Sequence, residues 1–240
     1  KNDATACEFR TAQALTLWPV ELVAASYFSF APDLPLAGLP RARPCKGGIR
    51  LRFSSTAGLN FSQTGIDSLR FYLGGSEEVA YKLYELIGTS VLGVLHGAGV
   101  RGRTPFGFMP RSTVGLPGYA DDEALLPVSA RNFGGYRLLQ EYFSFPQRYL
   151  FFEISGLAAA VAANATPEME LVILFERGDA GLETVVGPSN FLLNCTPAIN
   201  LFERRIDRIQ LSDSTHEFHV VPDRTRPMDF EIYDLQNVTG

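Results

Sequence analysis

Cysteine is scarce: Cys7, Cys45 and Cys195 are the only three in 240 residues, an odd number at motif-free spacing. That usage excludes a disulfide scaffold and fits a reducing compartment, so a cytoplasmic location is the expectation. No apolar run approaches the roughly 18 residues of a membrane span, and no segment resembles a signal peptide, so direct membrane insertion is not expected. An excess of positive charge is missing too. A formal charge of −5 argues against a partner such as nucleic acid or an anionic membrane, which requires a basic face. The one basic stretch, Arg41 to Arg52 (RARPCKGGIRLR), reads as a solvated loop and strand edge.

Motifs for chemistry are equally thin. There is no G-x-S-x-G elbow, no P-loop and no paired-cysteine spacing. GAGVRG, residues 97 to 102, spells a dinucleotide fingerprint, but RTPFG follows where a helix would have to open. In HEFH, His216 and His219 lie three apart, and on a strand they point to opposite faces, so they read as structural or exposed with Asp213 upstream. His96 stands alone, and the adjacent carboxylates Asp121-Asp122 and Glu77-Glu78 look solvated. No catalytic, cofactor-binding or metal-ligating residue is expected.

What is present is an ordinary globular composition, 46% hydrophobic and 20% charged, with enough length to bury a substantial core. SEEVAYKLYELIG predicts a helix over 76–87, with Ser76 as N-cap, Glu77 and Glu78 in the first turn, an apolar face of Val79, Leu83, Leu86 and Ile87, and Gly88 as the stop. YRLLQEYFSF predicts a second helix over 136–145, halted by Pro146. Apolar and β-branched runs predict strands at 49–53, 68–73, 90–95, 149–154, 169–175 and 182–186. Between the halves, residues 97 to 135 hold eight glycines and four prolines, a density that reads as a connection. The expected fold class is α+β and β-rich, as two tandem β-sandwich-like units: 1–105, a Gly/Pro-rich connection over 106–134, and 135–240. A faint echo links the halves, since Thr196 and Pro197 sit where Ser76 opens the first helix.

Three stretches carry a family resemblance: GYRLLQEYFSFPQRYLFFEISGL (135 to 157), CTPAINLFERRIDRIQL (195 to 211) and HVVPDRTRPMDFEIYDLQNVTG (219 to 240). Together with LTLWPVEL (15 to 22) and DSLRFYLGGSEEVAYKLYEL (67 to 86), they resemble the TssF family, also called VasA or ImpG, baseplate subunits of the bacterial type VI secretion system. The resemblance implies a central fragment of a longer structural protein with no catalytic residues and no cofactor, consistent with a chain that starts at Lys1. It implies TssG, TssK and TssE as partners in a wedge assembled in the cytoplasm, docked at the inner membrane and similar in plan to that of contractile phage tails. The isolated fragment is expected to be monomeric, because net charge resists association. The alternative reading is a β-sandwich binding module or hydrolase with a concave ligand pocket.

In DRTRPMDFEIYDL the alternation of Met228, Phe230 and Ile232 with Asp229, Glu231 and Tyr233 predicts a strand buried on one face. Arg224 and Arg226 project to one side of a proline-bounded segment, where Asp223, Asp229 and Glu231 are candidate partners for their planar forks. These five residues are expected to form a structural clamp or a partner contact. Removal of a desolvated clamp arginine by Arg226→Ala is expected to cost about 3–5 kcal/mol in denaturant melts. An exposed set of ion pairs would lose about 1 kcal/mol or less.

Overall fold

The computed structural model describes residues 6–36, 39, 43–98, 106–128, 133–206, 208–210, 214 and 216–238. Among them the element order is β1 (Arg10–Thr11), β2 (Val20–Phe28), β3 (Gly47–Ser55), β4 (Leu69–Leu73), α1 (Glu77–Ser90), β5 (Val91–Gly97), β6 (Gly107–Pro110) and β7 (Val114–Gly115). Then follow α2 (Gly134–Ser144), β8 (Phe151–Ile154), α3 (Ala158–Ala162), β9 (Glu168–Phe175), β10 (Phe191–Leu192) and β11 (Ala198–Ile199). This is an α+β, β-rich chain. It divides into two compact units, Ala12–Pro197 and Lys1–Thr11 with Ala198–Gly240.

The larger unit is organised by β9. Within its sequence EMELVILF, the run from Leu171 to Phe175 is apolar without a break because both of its faces are covered. Met169, Leu171, Ile173 and Phe175 enter the main core, while Val172 and Leu174 join a smaller cluster with Ala31, Leu34 and Leu95 on the opposite side. In the five-stranded antiparallel sheet of order β2-β3-β9-β5-β6, β9 lies between β3 and β5. On β3, Ile49, Leu51 and Phe53 point into the main core. The alternating Arg50 points away, to Asp33 Oδ2 at 2.7 Å and Glu170 Oε1 at 3.1 Å. Arg43 meets Glu176 at 2.8 Å, so cations of the basic stretch are neutralised locally; Arg41 and Ala42 lie outside the described residues.

A second antiparallel sheet has the order β10-β4-β8-β7. Phenylalanines join the two sheets: Phe53 of β3 meets Phe71 of β4 at a centroid distance of 6.0 Å, Phe71 stacks on Phe152 of β8 at 4.8 Å, and Phe152 meets Phe191 of β10 edge-on at 6.2 Å. Helix α1 covers this core with Ala80, Leu83, Leu86 and Ile87. Ser76 caps it by accepting from the Val79 amide at 3.4 Å. The helix runs past Gly88 to Ser90, contrary to expectation. The expected glycine stop is replaced by Arg177, which donates to Ser90 Oγ, Thr89 Oγ1 and Glu85 Oε1, each at 2.9 Å, and so places a cation at the negative end of the helix. At the other end, Gly75 has φ +93°, and a Cβ there would lie 2.5 Å from the buried Asn190 amide, whose Nδ2 donates to the Gly74 carbonyl at 3.0 Å.

Three other expectations are corrected. The halves 1–105 and 135–240 do not form tandem units, because β9 and β8 from the second half pair with β3, β5 and β4 from the first. Residues 182–186 form no strand. Leu182 and Val186 are buried while Val185 is exposed, and the Val186 amide donates to the Leu182 carbonyl, the spacing of a helical turn. Thr196 and Pro197 open no helix; Ala198 and Ile199 instead pair with Thr11 and Arg10. Phe152→Ala is expected to cost about 3–5 kcal/mol in denaturant melts of the chain, because the ring is fully buried in the phenylalanine stack. Val185→Ala, on the exposed side of its turn, should stay within about 0.5 kcal/mol of the parent.

Candidate functional site

The sequence GGYRLLQEYFSFP makes α2 from good helix formers between a glycine pair and a proline. Phe145, which precedes Pro146, leaves the helical region at φ −152° and ψ 72°. A 3₁₀ turn over Pro146–Tyr149 then brings Arg148 back beneath the helix. There the guanidinium of Arg148, 1% exposed, donates through Nη1 to Oε2 of Glu141, 2% exposed.

Two charges this far from water need further partners. Arg137 Nη1 lies 3.4 Å from both oxygens of Glu141, and the amides of Leu125 and Leu126 donate to Oε1 at 3.0 and 3.3 Å. Arg148 Nη2 donates to the Glu123 carbonyl at 2.7 Å. Around this pair, Arg137 Nη2 reaches Asp121 Oδ1 at 3.0 Å, and the Glu123 carboxylate accepts from the Gly118 amide at 2.6 Å and from Arg70 of β4 at 3.0 Å. Arg70 also pairs with Glu153 of β8 at 2.9 Å. The Arg148 guanidinium lies 4.5 Å over the Tyr149 ring. Burial pushes the Tyr149 phenol up, opposed by Arg148. Tyr84, hydrogen-bonded to Tyr119 at 2.7 Å, is also pushed up, by burial first and then by that bond.

With its charges inward, α2 turns its apolar residues outward. Phe143 is 80% exposed, Tyr136 70% and Leu139 56%, and Phe133 just before the helix is 73% exposed. Tyr142 and Phe145 are exposed beside them. The helix is built inside out for a globular protein, whose surface helices ordinarily bury their apolar stripe.

In the smaller unit, the residues expected to form the clamp lie on an irregular segment. The expected strand through Met228, Phe230 and Ile232 does not form: Met228 is 92% exposed, and no described strand lies beside it. Asp223 accepts from the amide and hydroxyl of Thr225 at 2.9 and 2.6 Å and from Arg204 at 2.9 Å, which hold its carboxyl below the usual range, the Thr225 hydroxyl most of all. Arg204 in turn lies 4.4 Å over the Phe230 ring. Arg224 donates to the Arg208 carbonyl at 3.3 Å, and the Asp229 amide to the Arg226 carbonyl at 3.3 Å, while Glu231 is exposed. Arg204 was not foreseen, because 19 residues separate it from Asp223 and no periodicity links the two.

His216 and His219 are exposed on the same segment, and Asp213 lies outside the described residues. His96, on β5, is partly buried, and burial pushes its pKa down. Of GAGVRG, only Gly97 and Ala98 are described. A cavity of about 170 Å³ opens between Trp18, Leu69, Arg70, Glu153, Leu193 and Cys195. Its two charges neutralise each other, and it is smaller than the roughly 300–1,000 Å³ of small-molecule sites. No helix among the described residues is long and apolar enough to cross a membrane.

Comparison with known proteins adds to this geometry. The family described as "Type VI secretion system, TssF" matches residues 1–240. A relative from Pseudomonas aeruginosa PAO1, "Type VI secretion system component TssF1", is 46% identical over 244 residues, spanning 100% of this chain and 38% of the relative. A chain in the cryo-electron microscopy structure of the type VI secretion system TssK-TssF-TssG baseplate subcomplex shares the fold. The TM-score is 0.73 at 21% identity, over 93% of this chain and 39% of that one. The chain thus spans about two fifths of the length of these relatives.

Glu141→Ala is expected to lower the unfolding free energy of the chain by about 3–5 kcal/mol, because it leaves the buried Arg148 guanidinium without its carboxylate and the amides of Leu125 and Leu126 without their acceptor. It should also open the 118–126 segment to limited proteolysis. A loss below about 1 kcal/mol in denaturant melts would contradict this account of the network.

Proposed function

Because the chain belongs to the type VI secretion system TssF family, we propose that it contributes to a structural subunit of the secretion baseplate wedge and carries no enzymatic activity. The observation that carries this reading is the buried network around Glu141. Its charged side chains are bonded to one another and to backbone amides, an arrangement that fixes the shape of a surface rather than presenting a reactive group to a ligand. Family membership supports TssG and TssK as partners, since both are named with TssF in the structure of similar fold. TssE is proposed as a further contact, and assembly is proposed to occur in the cytoplasm before docking at the inner membrane.

In this reading Asp223, Arg224, Arg226, Asp229 and Glu231 serve as a partner contact, with Arg204 holding Asp223 in place. The full-length protein mixed with purified TssG and TssK is expected to co-elute as one complex in size-exclusion chromatography with light scattering. Separate elution of the three would remove the baseplate reading. Arg226→Ala should change the unfolding free energy of the chain by about 1 kcal/mol or less yet weaken that co-assembly. Undiminished co-assembly would remove the contact while leaving the baseplate role in place.

A further inference from the structure

The outward face of α2 has a spacing that the baseplate role leaves unexplained. Tyr136, Leu139 and Phe143 stand at i, i+3 and i+7, the three-then-four step of a seam between packed helices. Phe133 extends the row at its start, and Tyr142 flanks it, its ring 5.4 Å from that of Phe143. The charged residues of the helix, Arg137 and Glu141, point inward, so Gln140 and Ser144 are the polar residues left beside the row. α2 cannot roll to bury the row without withdrawing Glu141 from Arg148. The rings are therefore held outward by the strongest constraint in their neighbourhood.

We propose that this face docks an amphipathic α-helix of another baseplate subunit, one whose apolar seam is uncharged and made of small and aliphatic residues. The proposal rests on the baseplate reading. Three observations support an uncharged helix with small seam residues as the occupant. The row lacks charge, so a basic or acidic partner surface would be desolvated against it without compensation. With roughly 200 Å² per aromatic side chain, the exposed fractions amount to about 700 Å², close to the ~800 Å² that each side of a standard protein interface buries. Finally, the face is a ridge of large knobs, and knobs need holes. A second copy of this chain would set ring against ring along the seam, whereas a helix with small seam residues supplies the holes.

The test uses the full-length protein with purified TssG and TssK. Leu139→Asp and Phe143→Ser are compared with Phe30→Ser, which alters an exposed phenylalanine elsewhere on the surface. The first two variants should bind the TssG and TssK pair at least about tenfold more weakly with an unchanged thermal melt, and Phe30→Ser should bind as the parent does. A photoreactive benzoylphenylalanine at position 143 should cross-link to one helix of TssG or TssK. Parent-like binding by both seam variants would overturn the docking surface alone, whereas failure of the parent itself to bind would overturn the baseplate reading and the docking surface together. A cross-link between two copies of the protein, or within one copy, would overturn the assigned occupant.

Discussion

Glu141 and Arg148 face each other almost without water, and desolvating two such charges costs several kcal/mol for each ion before any attraction is counted. The arrangement of much of the larger unit can be read as compensation for that cost. The compensating groups come from separate stretches of chain: Arg137 from the same helix, the amides of Leu125 and Leu126 from the segment before it, and the Glu123 carbonyl from a 3₁₀ turn over Asp121–Glu123. An electrostatic requirement thus becomes a geometric one. The Gly/Pro-rich stretch, which has little secondary structure of its own, must lie against α2, and through Glu123 and Arg70 it must also lie against β4.

The same requirement decides which way α2 faces. Burying a large apolar side chain contributes about 1.5–3 kcal/mol, and the helix leaves several of them in water. Turning the helix over would bury those rings but strand Arg148 and the amides of Leu125 and Leu126, each a buried polar group without its partner. Charge satisfaction outweighs apolar burial here, and an apolar face remains available for contact.

Local periodicity made much of this legible in advance. The helix capped by Ser76, the second helix ahead of Pro146 and the alternation in IRLRF are all found where pattern placed them, because each is decided by neighbours within one turn or one strand. Pairing between distant strands is not local, so the insertion of β9 between β3 and β5 could not be read from spacing, and the Gly/Pro-rich stretch looked like a boundary between domains. Residues 228–233 alternate as a strand does, but alternation describes a strand only where an edge exists for it to join. The orientation of α2 was hidden for a related reason. Arg137 and Glu141 look like an ordinary surface pair at i, i+4, and Tyr136, Leu139 and Phe143 look like a core stripe; the arginine that reverses both readings lies beyond a proline.

The place of β9 in its sheet also bears on how the chain is made. The two strands that flank it, β3 and β5, are complete by Gly97, but β9 begins only at Glu168. At synthesis rates of about 5–20 residues per second, the intervening stretch of roughly 70 residues takes about 4–14 s to emerge. Throughout that interval two apolar strands carry unpaired edges, the condition in which a nascent chain is most open to pairing with the wrong partner. Closure of the sheet is then a late, long-range event that joins distant parts of the chain at once. A ribosome stalled between residues 97 and 168 would hold a chain that has both flanking strands but no centre.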